Sequence, residues 1–176
     1  NIIGNHKNNF LYLKDIIKNY EIEYIYHIAA QVEVIKANDD PFFTLRNNIT
    51  YTLELLEAAK LSGKNKFFYL ASTDKVYGEI EKKKLPYKES YLPNPKFPYD
   101  VSKFICELLS LCYENNYCLP IIIGRTCNLY GPGQLNFSAL IPSLINTALN
   151  DKQFIPRSNG KTLRDYMFID DWVNTL

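Results

Sequence analysis

The chain has 176 residues, a formal charge of +1, 47% hydrophobic residues and 22% charged ones. That length fits one domain able to bury about two-thirds of its unfolded surface, and the abundance of Ile, Leu, Phe and Tyr excludes intrinsic disorder. A charge near zero excludes a global field for nucleic acid or an anionic membrane, and no apolar run reaches the ~18–20 residues of a membrane helix.

The first residues, Asn1-Ile2-Ile3-Gly4, have the pattern of a strand end without a start methionine, so the chain is expected to be the interior of a longer protein. Leu11 to Asn19 places Leu13, Ile16 and Ile17 on one helical face. Ile25-Tyr26-His27-Ile28-Ala29 is a strand-length apolar run. Thr44 to Leu61 repeats apolar residues at Leu45, Ile49, Leu53, Leu56 and Ala59, then stops at Ser62-Gly63, a helix C-terminal signal. Phe67 to Ala71 is a second strand. The basic cluster Lys82-Lys83-Lys84 is a solvated loop. Tyr99 to Asn115 repeats at Phe104, Leu108, Leu111 and Cys112, and Ile121-Ile122-Ile123-Gly124 is a third strand introduced by Pro120. All three strands are continuously apolar, the pattern of strands covered on both faces.

Helix alternating with strand predicts an α/β fold, a doubly wound parallel sheet with right-handed crossovers. After Tyr130 the rhythm changes. Gly131-Pro132-Gly133 is a loop, Ala139 to Leu149 a helix, 161–169 a loosely alternating stretch, and Asp170-Asp171 the capped start of a last helix. Cysteines 106, 112, 118 and 127 form no CxxC pair and have no His at ligand spacing, so no metal is expected. An even count permits disulfides, but a core of this size does not need them; reduced, mostly buried thiols in a cytoplasmic protein are expected.

Three clusters carry chemistry. Tyr99-Asp100-Val101-Ser102-Lys103 sets a phenol and an amine four residues apart, on one helical face. A phenol working as a base near pH 7 needs its pKa lowered by ~3 units, about 4 kcal/mol. One ammonium at ~4 Å in an effective dielectric of ~20 supplies about that much. Ser72-Thr73-Asp74-Lys75 follows the second strand, where parallel sheets bind ligands, although Ser, Thr and Asp also cap turns there. The run Gly124-Arg125-Thr126-Cys127-Asn128-Leu129-Tyr130-Gly131-Pro132-Gly133 and the trio Arg164-Asp165-Tyr166 offer Arg and Asn donors suited to phosphate. Ala29-Ala30-Gln31, after the first strand, gives small residues where a backbone can approach a cofactor.

In this order, STDKVYGE, PYDVSK, GRTCNLYGPG and RDYMFIDD closely resemble the extended short-chain dehydrogenase/reductase family. Within it the chain is similar to the NAD-dependent nucleotide-sugar epimerases and dehydratases. The resemblance implies a Rossmann-like NAD-binding part over residues 1–130 and the beginning of a substrate-binding lobe over 131–176. It further implies missing N-terminal βαβ units. Thr73, Tyr99 and Lys103 match the family's catalytic set, with Tyr99 taking the sugar C4 hydroxyl proton and Lys103 holding the nicotinamide ribose. Ala29, Ala30 and Gln31 are implied at the cofactor pyrophosphate and ribose, Asn48 in support of that site, and Asn128 and Arg164 on the sugar-nucleotide phosphates.

Asp74 followed by Lys75 resembles 4,6-dehydratases, in particular the CDP-glucose type. There the Asp protonates the departing C6 hydroxyl, and Lys75 is the candidate base for the C5 proton. The implied activity is conversion of a nucleotide-activated hexose to its 4-keto-6-deoxy derivative by a homodimer built on the helices 44–61 and 99–115, in polysaccharide biosynthesis. A 4-epimerase or reductase on the same scaffold, or a non-catalytic fragment, are the alternatives. Tyr51 stands where the family pattern has Gly, and Asn5 where an Asp contacts adenine. The GxxGxxG phosphate loop does not occur in the 176 residues, so the isolated chain is expected to be inactive.

Overall fold

The computed structural model describes residues 9–81, 83, 85–156, 159–161 and 163–176, and twelve elements follow one another among them. The expected strand end at Asn1–Gly4, Asn5, and Lys82 and Lys84 of the basic loop lie outside the described residues. The chain divides into two units, Asn1–Arg125 and Thr126–Leu176.

In the first unit, helix α1 (Asn9–Asn19) leads into strand β1 (Tyr24–His27), and a short helix α2 (Val34–Asp39) precedes the long α3 (Pro41–Ser62). Strand β2 (Phe67–Thr73) runs into a single 3-10 turn (Asp74–Tyr77), followed by helix α4 (Pro98–Tyr117) and strand β3 (Ile121–Thr126). The sheet order is β1-β2-β3, and β1 pairs in parallel with β2, Ile25 opposite Phe68 and His27 opposite Leu70.

The boundaries follow from local chemistry. Pro41 sits in the first turn of α3, and the Asp40 carboxylate caps it by accepting from the Phe43 amide at 2.9 Å. Gly63, at φ +63°, ends it in the left-handed conformation that glycine adopts without a Cβ clash. Gly124 serves a different purpose: a Cβ there would come within 2.6 Å of Tyr69 Cζ, so the glycine makes room for that ring. Helix α2 escapes sequence detection because Ala37 is its one buried residue, which leaves no periodicity to see.

The core consists of Ile17, Ile25, Leu56, Ala59, Phe68, Leu70, Cys106, Tyr113, Leu119 and Ile121, joining one sheet face to α1, α3 and α4. Coverage of both faces, expected for all three strands, holds for β2 alone. Strand β1 alternates, with Ile25 and His27 buried but Tyr24 58% and Tyr26 50% exposed, and Ile122 of β3 is 51% exposed. Within the described residues, that second face has no helix over these side chains.

The predicted apolar stripes need a similar correction. On α3 the expected Leu56 and Ala59 are buried, but the stripe continues toward the N-terminus through Thr44, Asn48 and Thr52, spaced four apart, whereas Leu53 is 41% exposed. On α4 the buried residues include Ser102, Cys106, Ser110 and Tyr113, whereas Leu108 and Leu111 face outward. The two helices therefore meet along small and polar side chains, with Asn48 Nδ2 donating to Ser102 Oγ at 2.9 Å and the Thr52 hydroxyl 3.2 Å from Cys106 Sγ across the seam. The cysteine expectation is also overturned. All four are thiols, but only Cys106 is buried; Cys112 lies on the outward face of α4 and Cys118 at its end.

The second unit holds strand β4 (Asn128–Tyr130), helix α5 (Leu140–Leu149), strand β5 (Tyr166–Phe168) and helix α6 (Ile169–Val173). Strands β4 and β5 pair in parallel, Asn128 opposite Tyr166. Helix α6 starts without a side-chain cap, so Asp170 and Asp171 lie in its first turn, where they face the positive end of the helix dipole. Among the described residues no helix is long and apolar enough to cross a membrane.

Candidate active site

Three segments of the first unit meet near the carboxyl ends of β1 and β2: the loop after β1, the 3-10 turn after β2, and the first two turns of α4. Thr73 ends β2 and is 4% exposed. Its hydroxyl donates to Asp74 Oδ1 at 3.1 Å and accepts from the Lys75 amide at 3.3 Å, so it caps the turn as well as facing the site. Lys75 Nζ lies 3.8 Å from Asp74 Oδ1, both side chains partly exposed. The turn therefore presents a carboxylate and an ammonium side by side toward the start of α4.

Tyr99 and Lys103 occupy that start and are 8% and 4% exposed. Burial, then the charges of Asp100 and Asp74, push the Tyr99 phenol up to about 12. Burial also lowers Lys103. This is the reverse of what the Tyr99/Lys103 spacing predicts: the lost hydration and the two carboxylates that the fold brings up outweigh one favourable ammonium. Asp100, which sequence reasoning passed over, is itself buried and raised, chiefly by desolvation.

Asn48 stands behind these groups with its amide fully used. Its Oδ1 accepts from the Gln31 amide at 2.8 Å and from Asn47 Nδ2 at 3.2 Å. Its Nδ2 donates to the Gln31 carbonyl at 3.1 Å and to Ser102 Oγ at 2.9 Å. Ser102 in turn donates to the Tyr99 carbonyl at 2.7 Å. Asn48 thus ties the loop after β1 to the helix carrying Tyr99, and it does so from behind rather than by offering a group to a ligand. The Gln31 side chain is likewise engaged, donating to the Glu33 carbonyl at 3.0 Å and accepting from the Glu33 amide at 2.6 Å.

Ala29, Ala30 and Gln31 line a cavity of about 690 Å3 shared with His27, Leu13 and Tyr51. Tyr51, where the family pattern has Gly, forms part of the cavity wall. The small side chains at 29 and 30 and the held backbone of Gln31 fit the close approach of a dinucleotide to the end of a parallel strand.

His27 was missed because it sits inside an apolar strand. Its Nε2 lies 2.8 Å from Thr52 Oγ1, and the Thr52 hydroxyl donates to the Asn48 carbonyl at 2.8 Å. Burial, then the charge of Lys103, lower His27 to about 4. A folded-state value below the ordinary 6.5 means stability that is complete above pH 6.5 and is lost as the pH falls toward 4. The difference corresponds to about 3 kcal/mol. His27 is expected to contribute that much to the loss of stability in urea unfolding between pH 7 and pH 4, so His27→Gln should show a correspondingly smaller loss; an equal loss in the variant contradicts the assignment.

Arg125, expected among the phosphate donors, turns inward instead. Its Nη2 reaches Glu107 Oε2 at 2.7 Å, an ion pair buried on the Glu107 side. Asn128 and Arg164 belong to the second unit. Asn128 binds the Asp165 carbonyl through its amide at 3.3 Å and its Nδ2 at 3.1 Å, on the strand next to Arg164. Arg164 is exposed and donates to the Leu163 carbonyl at 2.9 Å.

Residues 8–176 match the model of the NAD dependent epimerase/dehydratase family. A trifunctional UDP-glucose 4,6-dehydratase/UDP-4-keto-6-deoxy-D-glucose 3,5-epimerase/UDP-4-keto-L-rhamnose-reductase of Arabidopsis thaliana is 38% identical over 86% of this chain and 23% of its own length. Among solved structures, a dTDP-glucose 4,6-dehydratase from Streptomyces venezuelae with NAD bound superposes with a TM-score of 0.84 at 28% identity, covering 94% of this chain and 49% of that one. A UDP-glucose 4-epimerase from Thermotoga maritima with UDP-glucose superposes with a TM-score of 0.88 at 28% identity, covering 94% and 54%. The chain thus spans about half the length of these solved relatives, whose fold is Rossmann-like and whose family uses NAD. With the parallel strands, the Tyr99/Lys103 helix and the match over residues 8–176 in agreement, the chain belongs to the NAD dependent epimerase/dehydratase family.

Proposed function

We propose that the whole protein is an NAD-dependent nucleotide-sugar 4,6-dehydratase, converting a nucleotide-activated hexose to the 4-keto-6-deoxy sugar. The observation that carries this reading is the turn after β2, where Asp74 follows Thr73 and stands beside Lys75 and Tyr99. A 4-epimerization needs one acid–base group at C4. The dehydration needs a second acid near C6, and Asp74 supplies a carboxyl where an epimerase requires none.

When bound, NAD would supply a reversible hydride acceptor for the sugar carbons. Tyr99 removes the O4 proton, assisted by the Lys103 ammonium. The resulting ketone acidifies the C5 hydrogen. With the proton of the adjacent Asp74–Lys75 pair on the carboxyl, the free Lys75 amine takes the C5 proton while Asp74 gives its own to the C6 oxygen as the C–O bond breaks; water leaves and the pair is back as carboxylate and ammonium. Tyr99 with its raised pKa is neutral until positive charge faces it, so proton removal is confined to the loaded site. Ala29, Ala30 and Gln31 would hold the pyrophosphate and ribose, Lys103 the nicotinamide ribose, and Asn128 and Arg164 the sugar-nucleotide phosphates.

Incubating the whole protein with NAD and nucleoside-diphosphate hexoses is expected to give a product one water lighter than the substrate. A product of unchanged mass and inverted C4 favours the epimerase instead. Since the 176 residues contain no glycine-rich phosphate loop, the chain alone is expected to bind NAD weakly and not to turn over; calorimetric titration measures the first.

The exposed stripe of Leu53, Leu108 and Leu111 on α3 and α4 supports a homodimer through these helices. Sedimentation of the protein as a monomer would contradict this. The thiol state of the four cysteines is in keeping with a cytoplasmic setting.

A further inference from the structure

Tyr99, Lys103 and Glu107 lie four residues apart on α4 and share one face of the helix. Glu107 is 1% exposed and Lys103 4%. A buried carboxylate one turn from a buried ammonium pairs with it unless another partner claims it first. Here another partner does. Arg125 Nε lies 3.1 Å from both Glu107 oxygens and Nη2 lies 2.7 Å from Oε2, while the Ser72 hydroxyl donates to Oε1. Four contacts thus occupy the acceptor positions of the carboxylate.

The guanidinium is itself held in place. It lies 4.7 Å over the Tyr77 ring, and Tyr77 stacks on Tyr87 with centroids 5.0 Å apart and planes at 15°. Ser72 adjoins Thr73, so the same carboxylate also ties the end of β2 to α4.

We propose that Arg125 is a positioning residue that holds the Glu107 carboxylate away from Lys103, leaving the Lys103 ammonium available to Tyr99. The clamp deepens the proposed function and rests on it where Tyr99 is concerned. Its electrostatic part concerns only Arg125, Glu107 and Lys103. Losing Arg125 frees a carboxylate one turn from Lys103, which then binds the ammonium and withdraws it from the phenol. Losing both Arg125 and Glu107 leaves nothing to capture Lys103.

The test uses three forms of the whole protein: wild type, Arg125→Met, and the double variant Glu107→Gln/Arg125→Met. Two readouts are needed. The first is the titration of Lys103 by NMR of 15N-labelled lysine side chains, assigned with Lys103→Arg and independent of activity. In Arg125→Met, Lys103 is expected to titrate about one pH unit higher, and in the double variant to return to the wild-type position. The second is the pH dependence of C4 oxidation, followed as NAD reduction with UDP-glucose and dTDP-glucose as probes. Its rising limb is expected about one unit more alkaline in Arg125→Met and near wild type in the double variant.

A merely structural role for Arg125 predicts loss at every pH alike, no movement of Lys103 and no recovery in the double variant; that result overturns the proposal. If Lys103 moves while the rate profile does not, the clamp stands and the assignment of Tyr99 as base fails. Should Arg125→Met not fold, Arg125→Lys keeps the charge, loses the side-on pairing, and is expected to move both readouts in the same direction by less.

Discussion

Replacing Tyr99 with Phe is expected to lower the rate of C4 oxidation about a thousand-fold, within the range that general base catalysis contributes. The ring is 8% exposed and packs within the site, so Phe preserves its shape and the fold should melt within a few degrees of wild type. What Phe cannot do is accept the O4 proton. The measurement is NAD reduction in a single turnover with a nucleoside-diphosphate hexose bound. Wild-type rates are expected to rise with pH, because the active form is the phenolate and burial, Asp100 and Asp74 all hold the proton on. In Tyr99→Phe that rise is expected to vanish together with the activity. Persistent NAD reduction in the variant would remove Tyr99 from the mechanism.

Asp74→Asn separates the two halves of the reaction. Asn keeps the size of the side chain and can still accept from the Thr73 hydroxyl, so the turn after β2 should survive. It has no carboxyl proton for the departing C6 oxygen. Elimination is expected to slow at least a hundred-fold while C4 oxidation stays within a few-fold of wild type, so reduced cofactor accumulates in proportion to enzyme. Lys75→Ala is the companion variant, expected to suppress exchange of the C5 hydrogen with deuterated solvent. If Asp74→Asn forms product at the normal rate, the dehydratase reading loses its acid; if Lys75→Ala exchanges normally, the C5 base lies elsewhere.

Much of the architecture was legible because it is local. The end of α3 at Ser62-Gly63, the three core strands and the Tyr99/Lys103 spacing depend on residues near in sequence, and the structure places them within a few residues of expectation. What failed was long-range. Continuous apolar runs do not reveal whether a strand has cover on both faces, so Tyr26 and Ile28 were assigned to an interior they do not occupy. The α3 stripe was drawn through Leu45, Ile49, Leu53, Leu56 and Ala59; Leu56 and Ala59 are buried, but α3 meets α4 through Asn48 and Thr52, whose partners Ser102 and Cys106 lie 54 residues away.

The site shows the same division. The i,i+4 spacing singled out Tyr99 and Lys103, a place after a strand singled out Thr73, Asp74 and Lys75, and the family resemblance implied their roles, whereas the field around Tyr99 depends on burial, Asp100 and Asp74 together. Arg125 has the chemistry of a phosphate ligand, and only the tertiary structure reveals that Glu107 claims it. A sequence signal for Glu107 did exist, in its fourfold spacing from Lys103, but a lone carboxylate on a helix carries no direction until its partner is known.

The most direct test of the central claim is the fate of hydrogen at C4. The whole protein is given NAD and a nucleoside-diphosphate hexose deuterated at C4, and the product is analysed by NMR and mass spectrometry. The dehydratase account predicts a 4-keto-6-deoxy sugar with the deuterium on C6, carried there within one turnover. A product that keeps its C6 hydroxyl and carries the deuterium at an inverted C4 would contradict it.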